Sequence, residues 1–131
     1  MFRFPYYKGR PHIPLILEYG NREHHILPLL DSGADSSIFH RQTLTILGLD
    51  WAQGKKKILD NADGSIFEAR EFRLSVNLNG LRFPARICFA DHPALSEFPL
   101  LGRMDIFDKF LITICERDQY IDLKPHEGSG E

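Results

Sequence analysis

Leu29-Leu30-Asp31-Ser32-Gly33-Ala34-Asp35-Ser36-Ser37-Ile38-Phe39 sets an acid, a small hydroxyl and a glycine between two apolar runs. The run Ile26 to Leu30 reads as a buried strand that stops at Asp31, and apolar sequence resumes at Ile38-Phe39. A carboxylate at the end of a buried strand costs free energy unless it is paired or does chemistry. Gly33 allows a sharp turn and a close backbone approach. Ser32 offers a hydroxyl that both donates and accepts. The stretch therefore reads as a carboxylate presented on a tight, rigid loop.

Upstream, Ile13 to Tyr19 and Arg22 to Leu30 read as strands around a Gly20-Asn21 turn, a hairpin feeding the Asp31 loop. Downstream, His40 to Leu47 has helical spacing and Gly48 is a C-terminal stop. Ile58-Leu59 and Ile66-Phe67 flank a polar segment, Asp60 to Ser65, whose Asp63-Gly64 pair is a hairpin signal. Phe72, Leu74, Val76 and Leu78 alternate with polar residues, the mark of a half-buried strand. Asn79-Gly80 then predicts a type I′ turn into a returning strand over Leu81 to Ala90. A loop is expected over Asp91 to Phe98, a short strand over Phe98 to Leu101 and a short helix over Arg103 to Phe110. A last hairpin joins Leu111–Cys115 to Tyr120–Leu123. Many short strands with one or two short helices predict an all-β domain.

The chain has 131 residues, a single domain's worth, and is 43% hydrophobic, enough for a real core. Its division is read as an N-terminal arm over 1–12, a folded domain over 13–124 and a flexible tail over 125–131. The aromatic arm (Phe2, Phe4, Tyr6, Tyr7) is expected to pack on its own body or to cross to a partner. A formal net charge of −2 gives no electrostatic case for nucleic acid, and Lys55-Lys56-Lys57 reads as a solvated strand edge. No apolar segment suits a signal peptide or a membrane span, so no membrane partner and a cytoplasmic location are expected. Cys88 and Cys115 read as buried free thiols. His24-His25 point to opposite faces of a strand and share no ion, so no metal is expected.

Asp31-Ser32-Gly33-Ala34 resembles the Asp-Ser/Thr-Gly-Ala/Ser signature of aspartic proteases. Pro99-Leu100-Leu101-Gly102-Arg103-Met104-Asp105 resembles the hydrophobic-hydrophobic-Gly segment that supports their catalytic loop. One triplet with one supporting segment is the arrangement of the retropepsins, which build one active site from two chains. The resemblance spans roughly residues 13–123. It implies a closed β-barrel or sandwich of hairpins. It also implies a homodimeric aspartic endopeptidase, without cofactor, that hydrolyses peptide bonds of extended peptide or protein substrates. Its water would be activated by two Asp31 carboxylates, one per subunit, and the monomer would be inactive.

Under that resemblance Ser32 bonds across the dimer axis and Gly33 frees its N–H to approach Asp31. Ala34 stands where some relatives carry serine, which predicts a less acidic pH optimum. Asp35 and Arg103 form an ion pair beside the site, supported by Leu101 and Gly102. Asn61, Ala62, Asp63 and Gly64 become the tip of a mobile flap. Ile58, Ile66, Phe67, Phe98 and Leu100 line substrate pockets, so cleavage between bulky apolar residues is the expectation. Asp91, Asp105 and Asp108 lack the flanking Ser/Thr-Gly and read as structural. A dimeric peptide-binding module without physiological turnover is the alternative. Asp31 to Ser36 also fits an acidic phosphoserine degron, which would have to be exposed and disordered, unlike a loop clamped between apolar runs.

Overall fold

The computed structural model describes residues 1–61 and 63–130. The chain runs β1 (Phe2–Pro5), β2 (Leu15–Tyr19), β3 (Arg22–Ile26), β4 (Leu29–Leu30), β5 (Ser37–His40), α1 (Gln42–Leu47) and β6 (Lys55–Asp60). It continues through β7 (Ile66–Leu78), β8 (Leu81–Ala90), α2 (Ala94–Glu97), β9 (Leu100–Leu101), β10 (Phe110–Cys115) and β11 (Tyr120–Pro125). At 51% strand and 12% helix the domain is all-β with two short helices, as expected.

One curled sheet has the order β3-β2-β7-β8-β5-β9-β4, with β6 paired to β7. A smaller sheet has the order β1-β11-β10. The central hairpin β7–β8 runs in unbroken register from Ala69↔Ala90 to Leu78↔Leu81. Its turn is Asn79-Gly80, with φ of 53° and 94°, the double positive φ that a type I′ turn needs. Along β7 the two faces do different work. Phe72, Leu74 and Val76 enter the main core with Phe39, Phe83 and Phe89. Phe72 and Phe39 each meet Phe89 edge-on, at centroid distances of 5.8 and 6.2 Å. The opposite face carries Phe67, Ala69, Glu71 and Arg73, of which Phe67 and Glu71 line the cleft described below.

Five local expectations are corrected. The strand expected over Arg22 to Leu30 breaks after Ile26. Pro28 has no N–H to continue the ladder, and its carbonyl instead accepts from Ile13 N at 3.1 Å. The released segment re-enters as β4. His40 closes β5 instead of opening the helix, and its ring Nδ1 accepts from Gln42 N at 3.1 Å, where α1 begins. The loop over Asp91 to Phe98 contains α2. The helix expected over Arg103 to Phe110 is reduced to turns and one 3-10 turn at Phe107–Lys109. Asp105 sits at φ 64°, outside any right-handed helix. Both thiols are free, but only Cys88 is buried, while Cys115 is half-exposed on β10.

The N-terminal arm packs on its own chain. β1 pairs antiparallel with β11, and Phe2, Phe4 and Tyr6 lie on the core. Arg3 donates from Nε and Nη2 to the two oxygens of Asp122 at 2.7 and 2.8 Å, and its guanidinium lies 3.9 Å over the Tyr120 ring. This fork holds the Asp122 carboxyl below its ordinary range.

Asp105 is structural, as expected. It accepts from Arg86 N, Nε and Nη2 at 2.9, 2.8 and 3.0 Å. The Arg86 side-chain bonds bring its carboxyl down to about 2 from 3.8. A depressed carboxyl stabilises the fold above its unfolded pKa and loses that contribution as pH falls through the folded value. Asp105→Asn keeps a side chain that tolerates positive φ and removes only the charge. It should lower the melting temperature at pH 6. The gap to wild type should close as pH falls from about 4 to about 2, as read by thermal melts.

Candidate active site

Two short parallel strands hold the Asp31 loop. β4 pairs with β9 through Leu29↔Leu100 and Leu30↔Leu101, and β5 meets β9 at Ile38↔Leu100. Asp31 N donates to Leu101 O at 3.0 Å, which extends that ladder to the acid itself. The loop beyond it is tied down at both ends. Arg103 N donates to Ala34 O at 2.9 Å and Met104 N to Asp35 O at 2.8 Å. Beneath it, Gly102 N donates to the hydroxyl of Ser37 at 3.0 Å, a side chain with no exposure.

Gly102 is at this place because nothing larger fits. A Cβ there would collide with the Ser36 carbonyl group and lie 2.9 Å from Ala34 O. Gly33 has a different reason. Its φ is not positive, and its Cβ position meets only Asp31 Oδ1, at 3.3 Å. What it supplies is its N–H, which donates to Asp31 Oδ1 at 2.9 Å. That bond aims one carboxylate oxygen and leaves the other toward solvent.

The loop forms the floor of an open cleft of about 880 Å³, lined by Asp31, Gly33, Ala34 and Asp35 on that side. Ile58 and Asn61 of the β6–β7 hairpin, Phe67 of β7, and Phe98 and Leu100 also line it, as the sequence reading named them. Leu101, fully buried, and Gly102 support the loop from behind. Arg103 Nη2 donates to Asp35 Oδ1 at 2.6 Å, so that pair closes. Its side chains are 56% and 79% exposed, so water screens it and it adds little stability. Ser32 is exposed at the loop's crest.

Other named residues fall outside the cleft. Ile66 is 65% exposed, on the face of β7 opposite Phe67. Asp63 accepts from Ser65 N and Oγ at 2.9 and 2.6 Å, which holds its carboxyl low and rigidifies the hairpin turn beside Gly64. Ala62 lies outside the described residues. The sequence reading missed Leu59 and Leu95, which widen the apolar wall, and Lys57, Glu71 and Arg86, which make an ionic wall. Register is the signal that finds them: Lys57↔Ala69 and Glu71↔Cys88 put these residues on the Phe67 face.

No protein-family model matches this chain, and no curated protein does. Among solved structures, the crystal structure of a retropepsin-like aspartic protease from Rickettsia conorii aligns with a TM-score of 0.67. The match covers 92% of this chain and 97% of that one.

The chain has the retropepsin-like fold.

With 21% identity, that likeness rests on the course of the backbone. The retropepsin-like fold here brings residues 31–36 and 100–104 together by backbone hydrogen bonds, which depend little on side-chain identity.

Proposed function

We propose that this chain is a homodimeric aspartic endopeptidase that cleaves extended polypeptide. The observation that carries this reading is the Asp31 carboxylate. It is aimed by the Gly33 N–H at the floor of an open cleft, in a chain with a single Asp-Ser-Gly triplet. Peptide hydrolysis by carboxylates needs two of them. One takes a proton from water, and the other, protonated, polarises the scissile carbonyl. A two-fold related copy supplies the second Asp31, in the commonest kind of oligomer. In that dimer the exposed Ser32 hydroxyl bonds across the axis.

The β6–β7 hairpin serves as the flap over the cleft, with substrate laid in extended form and alternate side chains entering its walls. Leu59, Phe67, Leu95, Phe98 and Leu100 favour bulky apolar residues at the scissile bond. Among the described residues no helix is long and apolar enough to cross a membrane. The free thiols Cys88 and Cys115 suit a reducing compartment such as the cytoplasm.

Cleavage of an unstructured peptide pool is therefore expected to rise faster than linearly with protein concentration where dimer is scarce. A pepstatin-type transition-state mimic should block it. The test is to follow rate and sedimentation together, from acidic to neutral pH. Rates linear in a species that sediments as monomer would overturn the shared site. Silence from a demonstrated dimer would favour the peptide-binding module.

A further inference from the structure

The cleft-facing side of the β6–β7–β8 sheet changes character along its length. Near the hairpin tip it is apolar, with Leu59 and Phe67 paired across the strands. Farther along, register stacks charge on the same face. Lys55 lies opposite Glu71, and Arg73 lies opposite Arg86. Lys57 Nζ reaches Glu71 Oε2 at 3.1 Å, and Arg86 is taken by Asp105. Lys57, Glu71 and Arg86 line the cleft, so this face is continuous with it.

The balance on that face is uneven. The face carries Lys55, Lys57, Arg73, Arg82 and Arg86 against three carboxylates, Glu71, Asp105 and Glu18, the last held by Arg82. The whole chain has a net charge of −2, so the cationic excess is local. Among the described residues no carboxylate pairs with Lys55 or Arg73. Both are exposed. Arg73 faces Arg86 directly across the ladder, and the carboxylate there, Asp105, is held by Arg86, which leaves Arg73 without a partner of its own among the described residues. Asp31 and Asp35 belong to the loop on the cleft's floor.

We propose that this basic face holds an acidic side chain of the bound peptide, several residues from the scissile bond, with Arg73 as the specificity-determining residue. The inference deepens the protease reading and rests on it for cleavage, but not for binding. An extended peptide running from the apolar pockets along the sheet brings an Asp or Glu carboxylate between Arg73 and Lys55. The attraction is salt-sensitive because the groups are exposed.

The test uses the Asp31→Asn chain and two fluorescent peptides with one apolar core, flanked at both ends by Glu or by Gln. Binding is read by anisotropy at low and high salt. The Glu-flanked peptide is expected to bind about fivefold tighter or more at low salt, with the advantage lost at high salt. Arg73→Gln, added to Asp31→Asn and checked for an unchanged melting temperature, should bring the ratio close to one. Equal affinities, a ratio indifferent to salt or to Arg73→Gln, or no binding of either peptide would overturn the proposal. Cleavage of the Gln-flanked peptide by the wild type is scored separately. A retained Glu preference without cleavage would sink the protease reading and leave the acidic-peptide site standing. The salt response of the otherwise unaltered sheet decides the matter if Arg73→Gln folds poorly.

Discussion

Asp31→Asn is expected to abolish peptide cleavage while leaving the fold and the proposed dimer intact. The substitution is nearly isosteric. The amide oxygen can still accept the Gly33 N–H that now reaches Asp31 Oδ1 at 2.9 Å, so the loop keeps its shape. The amide nitrogen cannot take a proton from water. In a two-fold site the change removes both carboxylates at once, so no residual base remains. A fall in kcat of about a thousandfold or more is expected from the loss of acid–base catalysis. The residue is half-exposed, so the melting temperature should hardly move. Peptide binding, read by anisotropy, should survive. A variant that still cleaves at a hundredth of the wild-type rate or better, in a preparation free of contaminating protease, would remove Asp31 from the chemistry.

Gly102→Ala should be the most damaging single methyl group that can be added near the site. Its Cβ would collide with the Ser36 carbonyl group and come within 2.9 Å of Ala34 O. These are backbone atoms, so no rotamer change relieves the contact. The strand and the loop must part, and the hydrogen bonds Gly102 N to Ser37 Oγ and Arg103 N to Ala34 O go with them. Overpacking of this kind with loss of buried hydrogen bonds costs about 3 kcal/mol or more, a fall in melting temperature on the order of 10 °C. Gly33→Ala is the contrast. Its Cβ meets only Asp31 Oδ1 at 3.3 Å, so it should spare the melt and disturb the carboxylate's setting. Equal melts for Gly102→Ala and wild type would show that the two loops are not locked as described.

Much of the architecture was legible because it is written locally. Alternating apolar residues from Phe72 to Leu78, an Asn79-Gly80 turn and a second apolar run predict a hairpin without reference to the rest of the chain. β8 spans Leu81–Ala90, the range expected. The errors came where a local signal was overruled. Pro28 broke an apolar run that otherwise reads as one strand, and Asp105 took a positive φ in a stretch whose apolar spacing suggested a helix. In the second case three hydrogen bonds from Arg86 outweigh a helical turn that has no other support.

The sequence alone determined the hairpins and the all-β class, because turn residues and period-two alternation act over a few neighbours. Its resemblance to aspartic proteases also set Asp31 and Gly102 in one arrangement. Only the tertiary structure decided how they meet. β4 and β9 are two residues each, too short to announce their pairing, and they adhere through hydrogen bonds between segments far apart in the chain. The cleft was settled in the same way. Which face Glu71, Arg73 and Arg86 share depends on register across β6, β7 and β8, and a shift of one residue would send each to the other side of the sheet.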